Sequence, residues 1–219
     1  MAYDLYVITD EMIGKGRSHT RLAEMALLGG ADVIQLRDKN MDSASLFWTA
    51  TEIRALTGDA GACFIMNDRL DLALAAGADG VHLGQQDMPV GEARRIVPRD
   101  FIIGCSVGSV EEAVHAEISG ADYLALSPVF ATTSKDDAGD GHGLRTLGAI
   151  RAATRLPLVA IGGITRENIG SVIGAGADGA AVISAVVGEE DVTSAARAMK
   201  RLIAEAKSPG RRNASPQKV

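Results

Sequence analysis

The sequence is poor in aromatic residues and in cysteine. Phe, Trp and Tyr together make up 4% of the 219 residues, although 47% of them are hydrophobic. The core is therefore expected to be aliphatic and closely packed. The two cysteines, Cys63 and Cys105, lie in separate apolar runs. This placement predicts free, buried thiols, a reducing compartment and hence a cytoplasmic protein.

Basic residues and long apolar runs are also scarce. The net charge is −6, and it falls to about −10 without the last thirteen residues, which hold four basic side chains and no acidic one. Nucleic-acid binding is disfavoured because affinity for phosphates requires a basic surface. The longest apolar run, near residues 156–164, is short and broken by glycine. No membrane span or signal sequence is predicted, and no membrane partner.

What the sequence does contain is a repeat. Gly-Ala-Asp occurs at 30–32, 77–79, 120–122 and 176–178, and a strand-like run follows each copy. Each interval suits two βα units, so the pattern predicts a single-domain (β/α)8 barrel of the TIM type. Aligning the repeats predicts three inward layers of four side chains: Val33, Gly80, Tyr123 and Gly179; Gln35, His82, Ala125 and Ala181; and Arg37, Gly84, Ser127 and Ile183.

The chain length leaves room for one domain only. Residues 1–206 are assigned to the barrel and residues 207–219 to a disordered basic C-terminal tail. Trp48 falls off the apolar stripe of its predicted helix, so it marks either a homo-oligomer contact or a chance exposure.

Three oxygen-bearing side chains follow neighbouring strands. Asn67, Asp68 and Asp87 come at the C-terminal ends of strands three and four, where barrel active sites lie. Carboxylate and amide oxygens suit Mg²⁺, which also accepts phosphate ligands and water. The alternative is that the two carboxylates cap the following helices. The nearby cations Arg37 and Lys39 favour the metal site.

Two further segments predict phosphate binding. Thr132, Thr133, Ser134 and Lys135 follow strand six as a hydroxyl-rich, cationic loop, and residues 136–143 form a candidate lid. Strands seven and eight end in small residues that expose backbone N–H groups. His82 is interpreted either as a core or as a catalytic histidine, whereas His19 and His115 are expected to be solvated.

Together these segments resemble the thiamine phosphate synthase family over nearly the whole folded chain. The resemblance rests on residues 6–10 (YVITD), 35–39 (QLRDK), 67–69 (NDR), 79–85 (DGVHLGQ) with Asp87, 128–135 (PVFATTSK), 159–164 (VAIGGI), 176–179 (GADG) and 182–184 (VIS). It implies an enzyme that joins a hydroxymethylpyrimidine diphosphate to a thiazole phosphate and releases diphosphate.

The resemblance also implies a role for each site residue. Gln35, Asn67 and Ser106 would contact the pyrimidine substrate, Arg37 and Lys39 would hold its diphosphate, and Asp68 and Asp87 would hold the Mg²⁺. Thr132, Ser134 and Lys135 would line the thiazole phosphate and diphosphate region. The backbone at Gly163, Ile183 and Ser184 would bind the thiazole phosphate. Arg37, Lys39, Lys135 and Ser106 are the predicted catalytic residues.

The chain departs from the family pattern at Ser127, Ser134 and Gly108. Two alternatives stay open: a thiazole tautomerase, which would not need the Mg²⁺ and diphosphate residues, and a non-catalytic barrel that binds a phosphorylated metabolite.

Overall fold

A computed structural model describes residues 2–132 and 141–208 and shows a closed barrel of eight parallel strands. The strands are β1 (Leu5–Thr9), β2 (Val33–Leu36), β3 (Cys63–Asn67), β4 (Gly80–Leu83), β5 (Ile102–Val107), β6 (Tyr123–Leu126), β7 (Leu158–Ile161) and β8 (Gly179–Val182). The helices are α1 (His19–Leu28), α2 (Ser43–Ala60), α3 (Leu70–Ala75), α4 (Val90–Ile96), α5 (Val110–Ile118), α6 (Gly143–Ala153), α7 (Ile169–Gly174), α8 (Ser184–Val187) and α9 (Val192–Lys207). The predicted single-domain (β/α)8 fold is confirmed.

The barrel interior combines small residues with a few large rings. The Tyr123 ring occupies the space beside Gly104 on the neighbouring strand, where an added Cβ would lie only 2.0 Å from the ring. Tyr6 and Tyr123 are both fully buried. Glycine on one strand therefore makes room for tyrosine on another, which is how so few aromatic residues fill the centre.

The repeated Gly-Ala-Asp corner has a structural cause at the N-terminal face of the barrel. The Asp178 carboxylate accepts a 2.8 Å hydrogen bond from the backbone N–H of Leu158, the first residue of β7, and pairs with Arg151 at 2.9 Å. The same double contact recurs at the other corners: Asp32 with Leu5 and Lys200, Asp79 with Phe64 and Arg54, and Asp122 with Ile103 and Arg94. Each aspartate thus ties together two strands and a helix, so the repeat serves stability rather than the site.

The last helix extends slightly beyond the predicted domain boundary. It ends at Lys207, whose ammonium donates to Asp4 and to the backbone carbonyl of Asp178. Residues 209–219 of the predicted disordered tail and residues 136–140 of the candidate lid lie outside the described residues.

Two surface features bear on partners. Within the described ranges, none of the helices combines the length and the apolar character that a membrane crossing requires. The Trp48 side chain is 65% exposed. Its part in a homo-oligomer contact stays a prediction.

Candidate active site

A cavity of about 330 Å³ lies at the C-terminal ends of the strands. Ten of the thirteen predicted site residues line it: Arg37, Lys39, Asn67, Asp68, Asp87, Ser106, Thr132, Gly163, Ile183 and Ser184. Gln35 is buried at 2% exposure and is not part of this lining. Ser134 and Lys135 lie outside the described residues.

The two carboxylates meet at the rim of this cavity. Asp68 directly follows β3 with a left-handed backbone φ of 58°, and its side chain shares a hydrogen bond with Asp87. Burial, that hydrogen bond and the negative charge of Asp87 raise the pKa of Asp68 to about 6, against the opposing effect of Lys39 and Arg37. Two carboxylates in this position need a proton or a cation between them.

Helix capping does not explain the pair. The N-cap residues of α3 and α4 are Arg69 and Pro89, and neither helix start receives a side-chain capping bond. Asp87 instead accepts a 2.7 Å hydrogen bond from the backbone N–H of Gly84, which fixes the turn after β4.

The donor set fits Mg²⁺. No group of three or more His, Cys, Asp or Glu side chains is placed to hold a metal within residues 2–132 and 141–208. The protein would therefore supply two carboxylates, and substrate phosphate and water would complete the coordination. Mg²⁺ commonly binds in this way, through one or two carboxylates and the phosphates of a substrate.

His19 contacts the segment that carries Arg37 and Lys39 through Asp38, and the expectation that His19 is solvated is wrong. Its side chain is 1% exposed, with Nδ1 2.7 Å from Thr9 Oγ1 and Nε2 3.2 Å from Asp38 Oδ2. The three residues come from separate segments, so no local sequence signal could have joined them.

Asp38 in turn orders the turn after Arg37. Its Oδ1 accepts the backbone N–H groups of Asn40 and Met41 at 2.7 and 2.8 Å. Burial alone would raise the pKa of Asp38, but these hydrogen bonds and His19 outweigh it and lower that pKa. The ionised Asp38 carboxylate thus stabilises the turn that carries Arg37 and Lys39.

His82 has the burial and the hydrogen bonds of a core histidine, and its catalytic role stays a prediction. It lines the cavity, yet it is only 6% exposed and both of its ring nitrogens are hydrogen-bonded. Nε2 lies 2.8 Å from Ser106 Oγ, and Nδ1 lies 2.9 Å from the Tyr123 hydroxyl. Tyr6 and Tyr123 were not predicted as part of the site, because buried tyrosines in strands normally signal core packing.

The opposite end of the cavity is lined by glycine, aliphatic residues and Ser184 from the ends of β7 and β8. Gly162 and Gly163 have φ values of 95° and 63°, and a Cβ on Gly163 would lie 2.8 Å from the carbonyl oxygen of Ala131. Ile183 and Ser184 line the same end. Glycine is required here both for the conformation and for the close approach of the neighbouring loop.

Two of the three residues that depart from the family pattern, Ser127 and Gly108, lie within the described residues. Ser127 lines the cavity, as its predicted inward position requires. A Cβ on Gly108 would lie 2.7 Å from Cε1 of His142, so the His142 ring occupies the space that a side chain at position 108 would take. Ser134 lies outside the described residues.

Comparison with known proteins identifies the family. Residues 5–186 match the family described as thiamine monophosphate synthase. The chain belongs to the thiamine monophosphate synthase family. It is 67% identical to thiamine-phosphate synthase of Methanoculleus marisnigri, over 96% of this chain and 100% of that protein. It is 59% identical to the enzyme of the same name from Methanoregula boonei, over 94% of this chain and 96% of that protein.

A solved structure agrees with this assignment. Thiamine phosphate pyrophosphorylase from Pyrococcus furiosus matches with a TM-score of 0.88 and 43% identity, over 94% of this chain and 98% of that one. The sequence-based assignment to this family is confirmed. The chain is an enzyme, a transferase of thiamine biosynthesis.

Proposed function

We propose that the cavity at the C-terminal rim is where the chain joins a hydroxymethylpyrimidine diphosphate to a thiazole phosphate, giving thiamine phosphate and diphosphate. The observation that carries this proposal is the division of one cavity into two ends. A carboxylate pair with two cations lies at one end, and a glycine-rich backbone lies at the other. Two different phosphate-bearing substrates match such a site.

The pyrimidine diphosphate belongs at the charged end. Arg37 and Lys39 would hold its phosphate oxygens, and Asp68 and Asp87 would hold Mg²⁺. When bound, the metal would supply further positive charge to the leaving diphosphate. Asn67 and Ser106 would contact the pyrimidine ring, and Gln35 would contribute from beneath the cavity.

The chemistry requires charge stabilisation rather than a protein nucleophile. The bond between the pyrimidine methylene carbon and the diphosphate oxygen breaks first, and the electron-rich pyrimidine carries the resulting cation. Arg37, Lys39 and Lys135 stabilise the negative charge that develops on the departing diphosphate. The thiazole nitrogen then forms the new bond to the methylene carbon. A cavity that excludes water prevents capture of the cation by hydrolysis.

The thiazole phosphate belongs at the backbone end. Gly163, Ile183 and Ser184 would bind its phosphate through N–H groups, and Thr132 and Ser134 would line the region of the thiazole phosphate and the diphosphate. This arrangement keeps the two anionic substrates on opposite sides of the reacting carbon.

The test is a product-resolved assay of the purified full chain. Thiamine phosphate and diphosphate should form in equal amounts only when both substrates and Mg²⁺ are present, and a chelator should stop the reaction. Arg37→Ala should lower kcat/KM for the pyrimidine substrate by about a hundredfold. Arg95→Ala, which removes an exposed arginine of α4, is the matched control and should leave the rate unchanged. Product formation without the thiazole substrate, or equal effects of the two arginine variants, would contradict the proposal.

A further inference from the structure

Five side chains form one continuous hydrogen-bond chain across the barrel interior. Gln35 Nε2 donates to the Tyr6 hydroxyl at 2.6 Å, and the Tyr6 and Tyr123 hydroxyls are 3.0 Å apart. His82 Nδ1 is 2.9 Å from the Tyr123 hydroxyl, and His82 Nε2 is 2.8 Å from Ser106 Oγ. The chain begins below the cavity and ends at Ser106 on its wall.

The interior part of this chain is closed to water. Gln35, Tyr6 and Tyr123 are exposed by 2%, 1% and 0%. Burial raises the pKa of both tyrosines, so each keeps its proton. Within the described residues, no buried side-chain nitrogen or oxygen lacks a hydrogen-bond partner. The hydroxyl protons of Tyr6 and Tyr123 therefore each need an acceptor within the chain.

The direction of the chain follows from its first donor. An amide nitrogen can only donate, so the Tyr6 oxygen accepts from Gln35 and the Tyr6 proton goes to Tyr123. The Tyr123 oxygen is then an acceptor, and its own proton goes to His82 Nδ1. This order places the His82 proton on Nε2, with Ser106 Oγ as its acceptor. The Ser106 hydroxyl proton is left to point into the cavity.

We propose that Tyr6, Tyr123 and His82 are positioning residues of the synthase reaction: they hold His82 as the Nε2–H tautomer and so present the Ser106 hydroxyl to the substrate as a hydrogen-bond donor. The substrate group that it fits is an acceptor with a lone pair, such as a ring nitrogen of the pyrimidine. This inference rests on the proposed placement of the pyrimidine substrate beside Ser106.

The tautomer is tested without any turnover. Nitrogen-15 NMR of the ¹⁵N-histidine-labelled full chain at neutral pH, with the His82 signals assigned by their loss in His82→Gln, should show a protonated Nε2 and an unprotonated Nδ1. A proton on Nδ1, or on both nitrogens, would reverse or break the chain and overturn the proposal.

The consequence for catalysis is tested by a double-mutant cycle. Tyr123→Phe and Ser106→Ala should each lower kcat/KM for the pyrimidine substrate by about tenfold, and the double variant should be no worse than Ser106→Ala alone. The KM for the thiazole substrate should stay unchanged. Multiplying effects in the double variant would show that Tyr123 acts independently of Ser106 and would overturn the proposal.

Tyr3→Phe is the matched control. The Tyr3 ring packs on Tyr123 with a centroid distance of 4.9 Å, but Tyr3 is not a member of the chain, so its rate should stay at the wild-type value. If Tyr123→Phe fails to fold in a thermal unfolding assay, Tyr6→Phe breaks the same chain one step earlier and replaces it in the cycle. Absence of thiamine phosphate synthesis by the wild-type chain would instead refute the proposed function, and the NMR result would still decide the direction of the chain.

Discussion

The Asp68–Asp87 carboxylate pair should lower the stability of the metal-free protein. The pKa of Asp68 is about 6 in the folded chain, above the value of about 3.9 expected in the unfolded chain. For a group whose pKa is raised on folding, the favourable contribution is complete below the unfolded pKa and is lost as the pH rises through the folded pKa. The metal-free protein should therefore lose stability between about pH 4 and about pH 6 through this group.

Asp68→Asn removes this cost. For a fully buried carboxylate, a rise in pKa from about 3.9 to about 6 corresponds to about 3 kcal/mol. Asp68 is only half-buried, and solvent screening reduces the expected gain to about 1 kcal/mol. For a chain of this size that is an increase in Tm of about 2–4 °C at neutral pH. The same change removes a proposed metal ligand, so stability should rise while activity falls.

The assay is thermal unfolding in a chelator across this pH range. Asp71→Asn is the matched control because Asp71 also follows β3 but forms an exposed pair with Arg69. It should show no increase in Tm. A lower Tm for Asp68→Asn at neutral pH, or an unchanged pH dependence of Tm, would show that the ionised carboxylate pair does not destabilise the metal-free protein.

Three further predictions concern the other parts of the site. In steady-state kinetics, Gly163→Ala should raise KM for the thiazole phosphate about tenfold and leave KM for the pyrimidine substrate unchanged, because the added Cβ strains and crowds only the end of the cavity near Gly163. Equal increases in both KM values would indicate general misfolding. Lys135→Ala should lower kcat about tenfold to a thousandfold, because negative charge builds on the leaving diphosphate in the transition state. The increase in KM should be smaller than the loss in kcat. An unchanged kcat would exclude Lys135 from the mechanism. His19→Phe should raise KM for the pyrimidine diphosphate about tenfold, whereas the control His115→Phe, on the exposed face of α5, should change neither kcat nor KM. Equal KM values for these two variants would contradict the positioning of Arg37 and Lys39 by His19.

The fold could be predicted from the sequence because the Gly-Ala-Asp corner is local and repeated. Each corner combines a turn, a strand start and a charged contact, so one short motif marks four equivalent places in the barrel. Asn67, Asp68 and Asp87 were predictable for a related reason. Parallel strands end at one rim, so residues that follow neighbouring strands must meet there.

What the sequence could not predict are contacts between segments that carry no common motif. His19 opens a helix and looks like a solvated residue, yet it bonds to the last residue of β1 and to a residue that follows β2. Tyr6 and Tyr123 are 117 residues apart, and their hydroxyls meet only because the barrel closes. Such pairings depend on the inward direction and height of each side chain, which strand periodicity alone specifies too loosely.

The role of the two carboxylates in diphosphate release is tested most directly by the rate at which an Asp68→Ala/Asp87→Ala double variant forms thiamine phosphate with saturating Mg²⁺. We expect a loss of at least about thirtyfold in kcat/KM, corresponding to ~2 kcal/mol of transition-state stabilisation. The matched double variant Asp71→Ala/Glu92→Ala, which removes two exposed carboxylates from neighbouring helices, should keep the wild-type rate. A rate for the Asp68→Ala/Asp87→Ala variant within about twofold of the wild type would contradict the assignment of these carboxylates to diphosphate release.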